Sequence, residues 1–440
     1  MALPNPVVVI PGITASDLRD AYAVSPETVW STLLTKDYDR ILLHPDDLRY
    51  ELEEPARVEA SAVFGTPYDS FIKELRHNLT AHRDKPVPVY PFPYDWRQPL
   101  DLIEVQLAAF IDEVIARTSL MRHYHDAGYA DDPKVSLVGH SMGGLIIAGY
   151  LQMRGKNARV DRVATLGTPF KGSLEAPIKV VTGTASLGPD TASDSRERES
   201  ARLTPALYHL LPSFKGAVVA EAGSGLPDDL YLVETWQQGV IHTVAEFIRL
   251  HGLKKGNAAD RTGWARTLLT SMLDRAWKHR TRVNTLDLAA TSVGSPDGWL
   301  CLVGVDARTR VTLEIQKKGG KPFFNLVGTD RRNGWASTNE QDREATGDGT
   351  VPYLGAEPTF LERTHLVCLR PDDFGYWEMK DKALLQLVGF HSLLPSLNLA
   401  HRLVVSHLRG KPTKGIWARP APGVSEKDWA PPIRGLAFKA

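Results

Sequence analysis

Apolar positions along the chain fall into two rhythms. Short runs rich in branched residues have the length and character of strands buried on both faces. They are Val7-Val8-Val9-Ile10, Val87-Pro88-Val89-Tyr90-Pro91-Phe92, Val135-Ser136-Leu137-Val138, Val160 to Leu166 and Trp299-Leu300-Cys301-Leu302-Val303. Between the early runs apolar residues recur at helical spacing. Tyr68, Phe71, Ile72 and Leu75 form one stripe, and Leu107, Phe110, Ile111 and Val114 mark another along Leu102 to Thr118. Strand and helix alternate, which predicts an α/β fold: a mostly parallel central sheet flanked by helices.

The rhythm changes at Lys171. Arg202 to Leu211, Asp229 to Leu250 and Arg261 to Lys278 all carry helical periodicity. Residues 171–297 are therefore expected to form a helical cap inserted into a discontinuous α/β core of residues 1–170 and 298–409. The Pro- and Gly-rich residues 410–440 form an extension. Thr182 to Ser200, polar with glycines, reads as a loop that can act as a hinge for the cap. Glu27 to Gly65 shows no sustained period and reads as a surface excursion or a loop near the site mouth. Arg310 to Ile315 and Pro322 to Val327 read as a hairpin across Gly319-Gly320. His365 to Leu369 reads as the last strand, and Leu397 to Leu408 as a terminal helix.

At 440 residues the chain is too long for one simple core, in agreement with a core plus insertion. Lys plus Arg and Asp plus Glu both number 52, so the basic footprint of a nucleic-acid partner is missing. Met1-Ala2-Leu3-Pro4-Asn5-Pro6 lacks the basic region and apolar core of a signal peptide, and no run of ~18 apolar residues exists. The expectation is a cytoplasmic protein. Cys301 and Cys368 sit in strand-like runs and read as small buried hydrophobes. No Cys or His spacing resembles a zinc site, and no cofactor or metal is expected.

Candidate chemistry centres on Gly139-His140-Ser141-Met142-Gly143, where a strand meets a helix. In that context G-x-S-x-G is the nucleophile turn of an α/β-hydrolase fold. A Cβ at either glycine would collide with a neighbouring element, and the turn exposes Ser141 above the sheet. The oxyanion donors expected there are the backbone N–H groups of Met142 and of Ile13, in the loop after the first strand. A serine also needs a base and an acid. Asp348 is framed by Gly347 and Gly349, and His391 follows the last strand, so the chain order is Ser, Asp, His. Asp342, Asp372 and Asp373 are weaker acids for the role, because glycines do not frame them. His140, His365 and His401 are weaker bases by position. In Pro93-Tyr94-Asp95-Trp96-Arg97, Tyr94 and Trp96 are candidates for the substrate pocket, as is Trp30. Asp95 and Arg97 are expected to brace the loop.

Taken together, Val9-Ile10-Pro11-Gly12, Pro93-Tyr94-Asp95-Trp96-Arg97, Gly139-His140-Ser141-Met142-Gly143-Gly144, Leu166-Gly167-Thr168-Pro169 and Gly347-Asp348-Gly349-Thr350-Val351-Pro352 run in one order. In this the chain resembles the lecithin:cholesterol acyltransferase family, which includes lysosomal phospholipase A2 and the phospholipid:diacylglycerol acyltransferases. The resemblance implies a metal-free catalytic set of Ser141, Asp348 and His391 with oxyanion donors at Ile13 and Met142. It implies an acylhydrolase or acyltransferase acting on phospholipid or acylglycerol esters through an acyl-enzyme. The partners expected are the lipid or other ester substrate and, transiently, a membrane surface touching the cap. The animal members close a lid with a disulfide. Here no cysteine precedes Cys301, so the Trp30 region lacks that staple. The alternatives are a soluble carboxylesterase or thioesterase on small acyl substrates, and a non-catalytic interaction protein on the same shell. The last normally loses a member of the catalytic set, and all three are present.

Overall fold

The computed structural model describes residues 3–32, 34–183, 195–327, 331–375, 378 and 389–439. Its centre is a sheet of six parallel strands: β1 (Val7–Ile10), β2 (Val89–Pro91), β3 (Val135–His140), β4 (Val160–Leu166), β5 (Trp299–Gly304) and β6 (Val367–Leu369). Their order across the sheet is β6-β5-β4-β3-β1-β2. The chain runs outward from β1 to β2, then returns to place β3 on the other side of β1. That reversal opens a crevice at the carboxyl ends of β1 and β3, where open α/β sheets bind their ligands.

Burial on both faces explains why these runs are mainly apolar. Val8, Ile10, Leu137, Val163, Cys301 and Val303 face one core, while Val7, Val9, Val138, Ala164, Leu300 and Leu302 face the other. Helix α1 (Gly65–Leu79) covers the second face with Tyr68, Phe71 and Leu75. Helices α2 (Leu100–Ser119) and α3 (Met142–Arg154) cover the first. Helix α3 is buried at every residue from Met142 to Leu151, so it has no amphipathic stripe to read.

The described residues of 171–297 are mainly helical, with α4 (Gln238–His251) and α5 (Ala258–Asn284) as the longest elements among them. An Asn257–Asp260 capping box starts α5. Helix α5 docks on the sheet side through buried Glu104 of α2, which lies 2.7 Å from His279 and 2.5 Å from Arg282. A short strand, Val218–Ala220, pairs in parallel with Leu313–Lys318, which forms the expected hairpin with Lys321–Asn325. Gly319 and Gly320 both have positive φ (58° and 78°), as a tight two-residue hairpin turn requires. Helix α6 (Asn398–Arg409) packs on α1. The chain after Gly410 lies along the open edge of β6. There Cys368 N–H donates to Arg419 C=O (2.8 Å) and the Trp429 indole to Leu366 C=O (2.9 Å).

Several readings differ from the structure. Glu27 to Gly65 is more than an irregular excursion: its strands Glu27–Ser31, Thr35–Lys36 and Val58–Val63 join Ser16–Asp20 in a small antiparallel sheet. Register irregularities in both pairings of Ser16–Asp20 break the two-residue period, which hid these strands. Ser195–Leu203 is a helix, though it lies partly within the segment read as a loop. Its charged sequence has no apolar stripe; Arg202 anchors it through hydrogen bonds to the carbonyls of Val180 (3.0 Å) and Val181 (2.9 Å). The rest of that expected loop, 184–194, lies outside the described residues, as do Leu387 and Val388. His365 sits in a short turn, Arg363–His365, ahead of β6. Burial pushes the Cys301 thiol up to about 12, and Cys368 is raised for the same reason. Among the described residues no helix is long and apolar enough to cross a membrane.

Candidate active site

Between β3 and α3 the chain turns on one residue. Ser141 has φ 53° and ψ −125°, a conformation that costs about 1–3 kcal/mol for a residue with a side chain. The flanking glycines are required by close approach. A Cβ on Gly139 would lie 2.7 Å from Gly144 N, and one on Gly143 would lie 2.3 Å from Ile10 O. Met142 is the first residue of α3, so its N–H has no acceptor within the helix. Ile13 follows β1 on the loop facing Ser141, and both line the same crevice wall with Gly12 and Thr14.

The structure brings Ser141, His391 and Asp348 together from positions 250 and 43 residues apart. Ser141 Oγ is 2.9 Å from His391 Nε2, and His391 Nδ1 is 2.6 Å from Asp348 Oδ2. The network assigns the imidazole proton to Nδ1, donating to the carboxylate, and leaves Nε2 to accept from the serine hydroxyl. Asp348 is aimed by its own loop. Its Oδ1 accepts the N–H groups of Thr350 (3.0 Å) and Val351 (2.7 Å), while its N–H donates to Val351 C=O (3.1 Å). Gly349 adopts φ 94°, and a Cβ on Gly347 would strike Val351 O at 2.3 Å, so both glycines beside the acid are steric necessities.

The other candidates stand elsewhere. Asp373 is buried in an ion pair with Arg419 (2.7 Å). The side chain of Asp372 is 85% exposed, and Asp342 lies on an exposed short helix. His401 is buried on α6 beneath Phe71 and pairs with Pro395 C=O (2.6 Å). His365 lies next to the Thr364 hydroxyl, away from the crevice.

Above Ser141 the crevice is walled by Ala176, Leu207, Leu210, Val351 and Leu393, with Ser173, Glu175 and Lys179 among its polar groups. A second, narrower pocket adjoins it through Ile13, Thr14, Thr32 and Leu207. Trp30 and Trp96 line that side pocket, their rings 4.9 Å apart. Tyr94 corrects the expectation made for it: it lines neither pocket among the described residues. Its ring is buried and its hydroxyl donates to Pro11 C=O (2.8 Å), bracing the loop that carries Ile13. Arg97 grips Asp95 with two bonds of 2.8 Å and reaches Glu51 (3.1 Å) and Ile41 C=O (3.2 Å). That pair is the brace expected of it. Among the described residues no group of three or more His, Cys, Asp or Glu is placed to hold a metal ion.

The sequence reading missed Gly167, although Leu166-Gly167-Thr168-Pro169 stood out as a motif. Gly167 (φ 56°) closes β4 against the acid and base. It also missed the wall residues Leu207 and Leu210, whose helical spacing marks burial but not what they face.

A parallel sheet with this strand order, a strained serine between β3 and α3, and an acid and base delivered by later loops define an α/β-hydrolase fold. The family model "Lecithin:cholesterol acyltransferase" matches residues 64–254, so the resemblance carried by the motifs holds over that stretch. The matched segment contains Ser141 but ends before Asp348 and His391. Among solved structures, a chain of the crystal structure of the Tle4–Tli4 complex is similar at 15% identity and a TM-score of 0.61. The match covers 93% of this chain and 98% of that one, and the likeness is one of fold. The mature lipase BlEst2 of Bacillus licheniformis is matched at 17% identity over 47% of this chain and 58% of that one, with a TM-score of 0.25. No curated protein matches the chain.

Proposed function

We propose that this protein is a serine-dependent lipid ester hydrolase or acyltransferase. The family match and the fold support the lipid esterase/acyltransferase class. The observation that carries the mechanism is the 2.9 Å and 2.6 Å chain from Ser141 through His391 to Asp348 at the floor of an apolar crevice.

In this reading His391 Nε2 takes the Ser141 proton as Oγ attacks an ester carbonyl. The N–H groups of Ile13 and Met142 stabilise the oxyanion, and Asp348 stabilises the imidazolium. The imidazolium then protonates the departing alcohol. Water or a second alcohol, deprotonated by His391, releases the acyl group from Ser141. Residues 171–297 serve as the cap, a role supported by Ala176, Leu207 and Leu210, which form crevice wall over the serine. The apolar wall suits an acyl chain, and a substrate of that kind brings the protein to a lipid surface.

The test is a panel of phospholipid vesicles, diacylglycerol and monomeric short-chain esters, with products read by lipid mass spectrometry. Release of fatty acid or appearance of a new ester from the lipids is expected. Turnover confined to short-chain esters, unstimulated by vesicles, would show a small-ester carboxylesterase instead. An inert protein that no fluorophosphonate labels refutes the reading.

A further inference from the structure

Beside the serine, in the crevice floor, lies a chain of buried hydrogen bonds that the proposed reaction does not use. Gly12 N–H donates to Tyr68 Oη (2.9 Å), Tyr68 Oη is 2.6 Å from His140 Nδ1, and His140 Nε2 is 3.0 Å from His391 C=O. Tyr68 is 2% exposed and His140 6%. Resting on the reading of Ser141 as nucleophile, we propose that Tyr68 and His140 are positioning residues. They tie the oxyanion loop to the catalytic base so that both are held in register around the serine.

The protons in this chain have one consistent arrangement. The His391 carbonyl can only accept, so His140 carries its proton on Nε2. Burial holds His140 well below the usual imidazole range, so the ring is neutral and its Nδ1 is an acceptor. Tyr68 therefore donates to Nδ1, and its oxygen lone pair is left for Gly12 N–H. Every donor and acceptor along the path has its partner, which a buried polar chain needs if it is to stabilise one geometry.

The two ends of this chain are the oxyanion loop and the base. Gly12 immediately precedes Ile13, the proposed oxyanion donor. It sits so near the nucleophile that a Cβ on it would be 3.1 Å from Ser141 Cβ. Tyr68 occupies the Gly12 N–H, and Ile13, the next residue, lines the crevice beside Ser141. At the other end the backbone of His391 is held on both sides, its N–H by Asp348 C=O (3.0 Å) and its C=O by His140. The chain thus sets the spacing between base and oxyanion donors, a quantity to which rate is steeply sensitive. Gly12, Tyr68 and His140 lie in the crevice lining, but the Gly12 N–H, the Tyr68 hydroxyl and both His140 nitrogens are already engaged with one another and with His391 C=O, so they offer substrate no polar contact and the effect falls on kcat more than on KM.

The experiment compares wild type, Tyr68→Phe, His140→Ala, His140→Gln and the Tyr68→Phe/His140→Ala pair. Turnover of p-nitrophenyl butyrate, fluorophosphonate labelling rate and Tm are measured for each. Tyr68→Phe keeps the ring and removes only the hydroxyl. It is expected to lower kcat about 10- to 100-fold with KM within about twofold. His140→Gln, which keeps an N–H reaching toward His391 C=O, is expected to retain more kcat than His140→Ala. The double variant is expected to lose no more than the worse single one, since groups acting as a unit are not additive. A role in packing alone would lower Tm while leaving kcat of the folded enzyme unchanged, with Gln no better than Ala. That outcome, or fully multiplicative losses in the double variant, overturns the proposal. If Tyr68→Phe fails to fold, the His140→Gln against His140→Ala comparison decides alone. A wild type that is neither active nor labelled removes the hydrolase reading and this one with it. An active wild type matched by Tyr68→Phe removes only this one.

Discussion

Gly167 and Asp348 meet where β4 ends: a Cβ built on Gly167 would stand 3.0 Å from Asp348 Oδ2 and 3.1 Å from His391 Nδ1. The absence of a side chain there is what lets acid and base close on each other over the sheet. With φ at 56°, Gly167 also holds a conformation that other residues avoid. Gly167→Ala is therefore expected to lower kcat by about 10²-fold through displacement of the imidazole, with KM little changed. Steady-state kinetics on a soluble ester checks this, and an unaltered kcat would show that the loop yields without moving the base.

Ser141→Ala is expected to abolish ester turnover and fluorophosphonate labelling with Tm nearly unchanged. Ser141→Gly should be equally inactive but more stable by about 1 kcal/mol, because glycine relieves the strain that φ 53° and ψ −125° impose. Thermal unfolding of the two variants side by side separates loss of the hydroxyl from relief of the backbone.

Two aspartates distinguished by position in the sequence are distinguished by partner in the structure. Asp348→Asn is expected to fold normally and lose about 10⁴-fold in kcat, because the amide no longer fixes the imidazole tautomer. Asp373→Ala leaves the Arg419 guanidinium, 4% exposed, without its buried carboxylate. It should cost about 3 kcal/mol of stability and leave turnover per folded molecule intact. A loss of less than tenfold for Asp348→Asn would move the search to another acid.

Stability should fall on the acid side. Burial of His407 under β5 holds its ring down to about 4, against 6.5 for a free imidazole. Between those values the unfolded chain binds a proton that the folded one does not, so stability declines as pH drops from 6.5 to 4. The decline from this residue is about 3 kcal/mol, and it levels off once the folded ring also protonates. His140, His209 and His279, lowered by burial too, act in the same direction. His407→Gln, which cannot titrate, is expected to flatten the urea-unfolding free energy against pH over this window. An unchanged slope would place the acid sensitivity elsewhere.

Much of this architecture is written locally. Val7 to Ile10 and Val135 to Val138 announce strands buried on both faces because apolar side chains, with only the small Ser136 among them, fill both cores. Gly139 and Gly143 announce the serine turn because backbone atoms of Gly144 and Ile10 occupy the space a Cβ needs. Gly347 and Gly349 mark the acid for the same kind of reason. Such constraints act within a few residues, so they leave a pattern in the chain. The antiparallel sheet formed by the segment between Ser16 and Val63 left none, since irregular pairing interrupts its alternation. Nor could periodicity show that Tyr94 braces Pro11 while Trp96, two residues on, lines a pocket. The hydroxyl of Tyr68 looked like one polar atom on an apolar helix stripe. Only the packing of α1 beside β3 sets it between Gly12 and His140, because a hydrogen bond between residues 72 positions apart has no local signature.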